Sequence, residues 1–269
     1  GYSVKIKDDF SKAALDAGYK LNFLEKTGLT IVKDSENIDR FRGRIIFPIK
    51  SMSGRILGFG GRILGSSKHL AKYINSPETL IYQKSKVLYG IYESKQSIVK
   101  NDNCFLVEGY TDVIKMHQCG ISNVVASSGT ALTENQIRLI NRLTKNITVV
   151  FDGDAAGSRA ALRGIDLILS QGMNVKICNL PENEDPDSFV SERSLKEVES
   201  YFLENSKDFI VYKASLLLSD TQNDPVKKAG VIRDMVESIS KISDQIKREL
   251  YIKECSSIMD ISEQVLYST

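Results

Sequence analysis

Cys104-Phe105-Leu106-Val107-Glu108-Gly109-Tyr110-Thr111-Asp112 is a short apolar run that ends abruptly in a carboxylate and a glycine, and Ile147-Thr148-Val149-Val150-Phe151-Asp152-Gly153-Asp154 repeats the arrangement later in the chain. Short continuous apolar runs bounded by turn residues read as strands buried on both faces. In each the acid follows directly on the last apolar residue, so Glu108 and Asp152 stand at the carboxyl ends of their strands. Gly153 permits a tight turn between Asp152 and Asp154. A third strand, Val175 to Asn179, leads through Leu180 into Glu184-Asp185-Pro186-Asp187, and Asn123 to Ala126 is a fourth. Between them lie helical stretches near Thr111 to Gln118, Glu134 to Leu143 and Ala156 to Ser170. Strand and helix in alternation predict an α/β domain with a parallel sheet flanked by helices, and such sheets bind ligands beyond the carboxyl ends of their strands.

Towards the amino terminus the pattern changes. Asp8 to Gly18 and Leu21 to Lys26 have helical spacing, and Gly18 and Gly28 act as stops. Ile45 to Ile49, a Ser51-Met52-Ser53-Gly54 turn and Ile56 to Gly61 form a hairpin. Ser76 followed by Pro77 is the pattern of a helix start. Beyond Arg193 the strands stop, and Leu195 to Leu203, Phe209 to Leu218, Val226 to Ile242 and Gln245 to Met259 are all helical in period. The expected organisation is a mixed α+β basic subdomain over 1–100, an α/β domain with the parallel sheet over 101–192 and a helical subdomain over 193–269. Gly1 stands where an initiator Met is absent, and a last helix near Asp260 runs into Thr269, so the sequence reads as a fragment of a longer chain.

Lys and Arg total 36 against 34 Asp and Glu, so the net charge of +2 exerts no strong global pull on nucleic acid or membrane. The distribution is informative. From Arg40 to Gly90 the bases Arg40, Arg42, Arg44, Lys50, Arg55, Arg62, Lys68, Lys72, Lys84 and Lys86 face one acid, Glu78. From Glu108 to Asp187 the acids outnumber seven Lys and Arg. A basic block before an acidic one suggests a phosphate-binding surface beside a cation site, or simply two solvated faces. Cys104, Cys119, Cys178 and Cys255 are scattered without a C-x-x-C pair, and His69 and His117 stand alone, which argues against zinc and fits a reducing compartment. No apolar run approaches the roughly 20 residues of a membrane helix, and no signal peptide opens the chain. The chain reads as soluble and cytoplasmic.

Carboxylates crowded at one sheet edge repel one another unless a cation lies among them, and all-oxygen ligands select Mg2+ or Mn2+. A single D-x-D is more often a turn with solvated acids. Three acid-tipped strands shift the balance towards metal.

The words Glu108-Gly109-Tyr110-Thr111-Asp112-Val113, Ala126-Ser127-Ser128-Gly129-Thr130-Ala131-Leu132-Thr133 and Phe151-Asp152-Gly153-Asp154-Ala155-Ala156-Gly157 resemble the Toprim domain, and within that superfamily the bacterial DnaG-type primase. The resemblance spans almost the whole chain. It implies nucleotidyl transfer that builds short RNA primers on single-stranded DNA from ribonucleoside triphosphates, leaving an RNA–DNA hybrid. By it Glu108, Asp152 and Asp154 hold divalent metal, Asp185 and Asp187 complete the metal and triphosphate site, and Asp112 supports them, with Glu108, Asp112 and Asp152 as catalytic residues. Arg40 to Arg44, Gly58 to Arg62 and Lys72 to Thr79 also resemble signature runs of this family. Lys72, Asn75 and Lys84 then contact the incoming nucleotide, and Arg62, Arg40 and Arg42 the template path. An alternative reading has the arginines flanking a hairpin and Gly60-Gly61 as a bulge. The resemblance further implies a monomer at the replication fork, a zinc-binding module before this core and a helicase-docking module after it, both outside this sequence. Rival readings are a Toprim topoisomerase or nuclease, a phosphatase with Asp152 as nucleophile, and a nucleic-acid scaffold without chemistry.

Overall fold

The computed structural model describes residues 1–65, 70–129, 131–153, 159–219 and 224–269, apart from the side chains of 159–161 and 216–219. There are two compact units, Gly1–Tyr92 and Glu93–Thr269.

The first unit contains β1 (Tyr2–Ser3), α1 (Asp9–Asp16), α2 (Leu21–Lys26), β2 (Thr30–Lys33), β3 (Glu36–Asp39), β4 (Arg44–Lys50), β5 (Ile56–Ile63) and β6 (Tyr73–Asn75). The expected hairpin is β4–β5, and the antiparallel sheet runs β1-β4-β5-β6. The β2–β3 hairpin turns through Asp34 and Ser35, both at positive φ, the twist that suits a two-residue connection. Asp39, 2% exposed, accepts the amides of Phe10 at 2.6 Å and Ser11 at 3.0 Å, together with the Ser11 hydroxyl. A carboxylate from β3 thus satisfies the open amides of the first turn of α1.

No helix starts at Ser76. Its amide donates to the Phe59 carbonyl at 2.8 Å and its hydroxyl accepts the Phe59 amide at 3.0 Å, so the capping group is used on the neighbouring strand. The chain turns instead on Thr79, whose Oγ1 accepts the Ile81 and Tyr82 amides, before one 3-10 turn at Lys84–Lys86.

From α3 (Ile91–Asn101) the order is β7 (Cys104–Val107), α4 (Tyr110–Cys119), β8 (Val124–Ala126), α5 (Glu134–Asn141), β9 (Asn146–Phe151), α6 (Arg159–Ser170), β10 (Asn174–Asn179), α7 (Pro186–Ser191) and α8 (Leu195–Asn205). Then come β11 (Lys207–Asp208), α9 (Phe209–Ser219), α10 (Pro225–Ser240), α11 (Gln245–Met259) and α12 (Glu263–Ser268). The sheet order is β11-β10-β9-β7-β8, with β7, β8, β9 and β10 parallel as expected. Ile147 to Phe151 are all buried, as a strand covered on both faces requires. β11 corrects the expectation that strands end at Arg193: Lys207 and Asp208 pair antiparallel with Ile177 and Lys176 and close one edge. Among the described residues no helix is long and apolar enough to cross a membrane.

Candidate active site

The sheet register brings together the strand ends that lead into the acids. Leu106 pairs with Val149 across the parallel β7 and β9. Two residues on from that pair, Glu108 comes level with Phe151, and Asp152 follows immediately. On the other flank Asn179 pairs with Phe151, and the Leu180 amide donates to the Phe151 carbonyl at 3.1 Å. The ends of β7, β9 and β10 therefore stand side by side.

Each turn has its own fastening. The Ser128 amide donates to the Glu108 carbonyl at 2.9 Å, tying the loop after β8 to the end of β7. The Gly153 amide donates to the Glu184 carbonyl at 2.9 Å, tying the turn after β9 to the loop after β10. A Cβ on Gly153 would lie 2.1 Å from the Pro181 oxygen, so glycine is demanded by close backbone approach. Asp185 is the N-cap of α7, its Oδ1 accepting the Ser188 amide at 2.8 Å, and Pro186 occupies the first turn.

Asp112 is 7% exposed, and its Oδ2 accepts the Gly109 amide at 2.8 Å, closing the turn between Glu108 and α4. Burial pushes its carboxyl up to about 6; the Gly109 hydrogen bond opposes this, while the charges of Asp185, Asp187 and Glu108 add to it. Those three acids thus act on Asp112 from two separate elements. α4 and α7 pack on one another, and Lys115, one turn beyond Asp112, comes 4.0 Å from Asp187.

Glu108 and Asp185 are exposed, and Asp152 and Asp187 are half-buried. Asp154 lies outside the described residues. Among the described residues no three acids, histidines or cysteines stand close enough to hold a metal ion by themselves. The donor chemistry still fits a hard divalent cation, since the side chains gathered at this edge are carboxylates.

Two residues here escaped sequence reading. Arg193 makes a two-pronged ion pair with Glu184, at 2.8 and 3.0 Å, and lies 4.1 Å over the Phe189 ring, bracing the Glu184-Asp185 loop. Lys115 was signalled only by its i+3 spacing from Asp112 on a helix.

In the amino-terminal unit two cations stand near the Tyr73 ring, the Arg62 guanidinium 5.7 Å and the Lys72 ammonium 5.9 Å from its centre. Tyr73 pairs with Arg62 and Asn75 with Gly60 across β5 and β6. Arg40 donates to the Asn75 carbonyl at 3.2 and 3.1 Å, Arg42 is exposed, and the Lys84 amide donates to Glu78. Gly60-Gly61 is regular strand, the only register shift of β4–β5 falling at Ile49/Lys50. A Cβ on Gly61 would come 2.7 Å from the Phe41 ring, so this glycine serves packing. Arg44 is buried and donates to the carbonyls of Gly61, Ala71 and Lys72, a fastening of the sheet.

Comparison with known families agrees with this layout. Residues 1–95 match the DNA primase catalytic core, N-terminal domain, and residues 105–190 a Toprim-like domain. A crystal structure of a DNA primase domain from Pseudomonas aeruginosa is 33% identical, with a TM-score of 0.87 over 100% of this chain and 85% of that one. The chain belongs to the DnaG primase family. A DNA primase from Clostridium acetobutylicum is 39% identical over 252 residues, 93% of this chain but 41% of that protein, so the chain spans about two fifths of such relatives. A DnaG primase catalytic domain solved bound to ssDNA matches with a TM-score of 0.86 at 32% identity, over 98% of this chain and 84% of that one. The DnaB-helicase binding domain of primase matches residues 221–264, over α10 and α11. Sequence reading expected the helicase-docking module beyond this chain, because helical periodicity carries no mark of a partner.

Proposed function

We propose that this chain is the catalytic core of a primase, making short RNA primers on single-stranded DNA from ribonucleoside triphosphates. The observation that supports this reading is the parallel pairing of β7 with β9, neighbouring strands that lead into Glu108 and Asp152. In this reading Glu108, Asp152 and Asp154 hold Mg2+ or Mn2+, and Asp185 and Asp187 complete the site. When bound, such ions neutralise charge at the attacked phosphate and on the leaving pyrophosphate. Asp112 acts by fixing the turn that aims Glu108, through its bond to the Gly109 amide. Lys72 and Lys84 neutralise the triphosphate and Asn75 adds a polar contact, while Arg62, Arg40 and Arg42 face the template backbone; such contacts position without reading sequence. The segments 1–100, 101–192 and 193–269 divide this work between nucleotide and template binding, metal chemistry and partner docking. The partners are single-stranded DNA, the RNA–DNA product and a replicative helicase engaged through 221–264, with the chain itself monomeric and at the cytoplasmic replication fork.

The test is incubation of the chain with single-stranded DNA, labelled ribonucleoside triphosphates and magnesium or manganese. Short RNA products are expected, and Asp152→Ala should abolish them while DNA binding stays nearly intact. Equal synthesis by that variant would refute the metal assignment.

A further inference from the structure

Tyr201 on α8 makes two contacts that the chemistry above does not use. Its hydroxyl donates at 2.8 Å to the carbonyl of Asn179, the last residue of β10. Its ring lies 4.7 Å, centre to centre, from that of Phe189 on α7, a residue with no exposed surface. Asn179 and Phe189 bracket the stretch that carries Glu184, Asp185 and Asp187. One side chain therefore holds both ends of that stretch. Inside it the Glu184 amide donates to the Pro181 carbonyl at 3.0 Å, with Asn183 at positive φ, and the Glu184 carbonyl accepts the Gly153 amide from the turn after β9.

The helix that presents Tyr201 is itself well anchored. Ser194 and Glu197 cap its start reciprocally. Phe202, buried and next in sequence, lies 4.8 Å from the Phe105 ring of β7, the strand that leads into Glu108. Consecutive residues of α8 thus touch β7 and β10, the strands on either side of β9. Burial first, then the neighbouring Cys178 and Glu184, raise the pKa of the Tyr201 phenol, with Arg193 opposing. The phenol therefore keeps the proton that a carbonyl partner requires.

We propose that Tyr201 is a positioning residue for the acidic edge: by holding Asn179 and Phe189 it sets where Asp185 and Asp187 stand relative to Asp152, and so how tightly this edge takes a divalent cation. The inference rests on the metal reading given above.

The experiment measures Mn2+ binding to the intact chain by electron paramagnetic resonance, without nucleotide or DNA. Tyr201→Phe, which keeps the ring and removes the hydroxyl, should raise the Kd for Mn2+ about threefold to tenfold, less than the roughly 10–100-fold of a group bonded directly to a ligand. Its melting temperature should fall by about 2–4 °C, the loss of one hydrogen bond. Tyr251→Phe is the control for stability alone: its hydroxyl donates to Asp208 at 2.8 Å, and Asp208 pairs with Lys176, three residues back along β10 from Asn179. That variant should melt earlier and bind Mn2+ as wild type does. In primer synthesis Tyr201→Phe should raise the magnesium concentration for half-maximal rate by the same factor, with the rate at saturating magnesium within about twofold of wild type. Mn2+ affinity unchanged in Tyr201→Phe, or lowered equally in Tyr251→Phe, would overturn the positioning role. A wild-type chain that binds no Mn2+ would remove the metal reading and this inference together. Absence of RNA synthesis by a wild type whose Mn2+ binding depends on Tyr201 would count against the primase reading and leave the role of Tyr201 standing.

Discussion

A Cβ placed on Gly153 would sit 2.1 Å from the carbonyl oxygen of Pro181, a backbone atom that cannot swing aside. The turn that presents Asp152 is therefore built against the loop after β10. Gly153→Ala should cost about 1–3 kcal/mol through forced backbone displacement. Because a misplacement of about 1 Å costs roughly 10²-fold in rate, primer synthesis should fall by that order. Urea unfolding and a primer assay measure the two effects. Gly109→Ala is the contrast: its added carbon would meet the Asp112 carboxylate at 3.0 Å, a side chain able to yield, so the loss should be smaller.

The sheet was legible because its strands are buried on both faces, and burial on both faces writes an unbroken apolar run with the functional acid next to it. Glu108 and Asp152 could thus be placed at strand ends on one edge of the sheet from sequence, whereas the adjacency of β7 and β9 is set by the sheet order. Non-local uses of local-looking groups were not legible. Ser76 carries the sequence of a helix cap, yet its hydroxyl serves Phe59 on another strand. Asp39 does cap a helix, but from a distant hairpin. β11 has two residues, too few to show any period, and the Glu184–Arg193 pair is a matter of tertiary geometry. Arg44, counted in the basic block beside Arg42, is buried in the sheet, and nothing in the local sequence separates the two.

That separation is itself testable. Arg44→Ala removes a buried guanidinium from three carbonyls and should destabilise the protein by about 3 kcal/mol, by chemical denaturation. Arg42→Ala, on the surface, should stay within about 0.5 kcal/mol. If Arg42 meets phosphate, its loss should reduce the slope of log affinity for single-stranded DNA against log salt by about 0.7.

Arg193 braces the loop that carries Asp185. Its ion pair with Glu184 is two-pronged and partly shielded, and its guanidinium also donates to the Phe189 carbonyl at 2.9 Å. Arg193→Ala should destabilise by about 2 kcal/mol, and Arg193→Lys should recover less than half of that, since an ammonium cannot reproduce the fork. A slackened loop should also raise the magnesium concentration for half-maximal primer synthesis. Unchanged magnesium dependence in Arg193→Ala would remove this residue from the support of the acidic site.

Asp166 on α6 joins the Toprim-like sheet to the carboxyl-terminal helices. Its Oδ1 accepts from Lys213 at 2.8 Å and Ser238 at 2.7 Å, and its Oδ2 from Lys241 at 2.9 Å. Burial alone would raise its carboxyl, but the hydrogen bonds from Lys213, Lys241 and Ser238 and the Lys213 charge outweigh that and hold it below the ordinary value. A carboxyl depressed in the folded state binds its proton more tightly when unfolded. Its contribution is thus fully present above the unfolded value of about 4 and is lost as pH falls through the folded one. The Lys213 side chain is only 4% exposed, so Asp166→Asn leaves a buried ammonium without its counter-charge and should cost about 3 kcal/mol at pH 7. The same variant should lose less stability than wild type between about pH 4 and pH 3. Urea unfolding at pH 7, 4 and 3 checks both, and parallel decline of the two proteins below pH 4 would show that Asp166 does not carry the acid sensitivity.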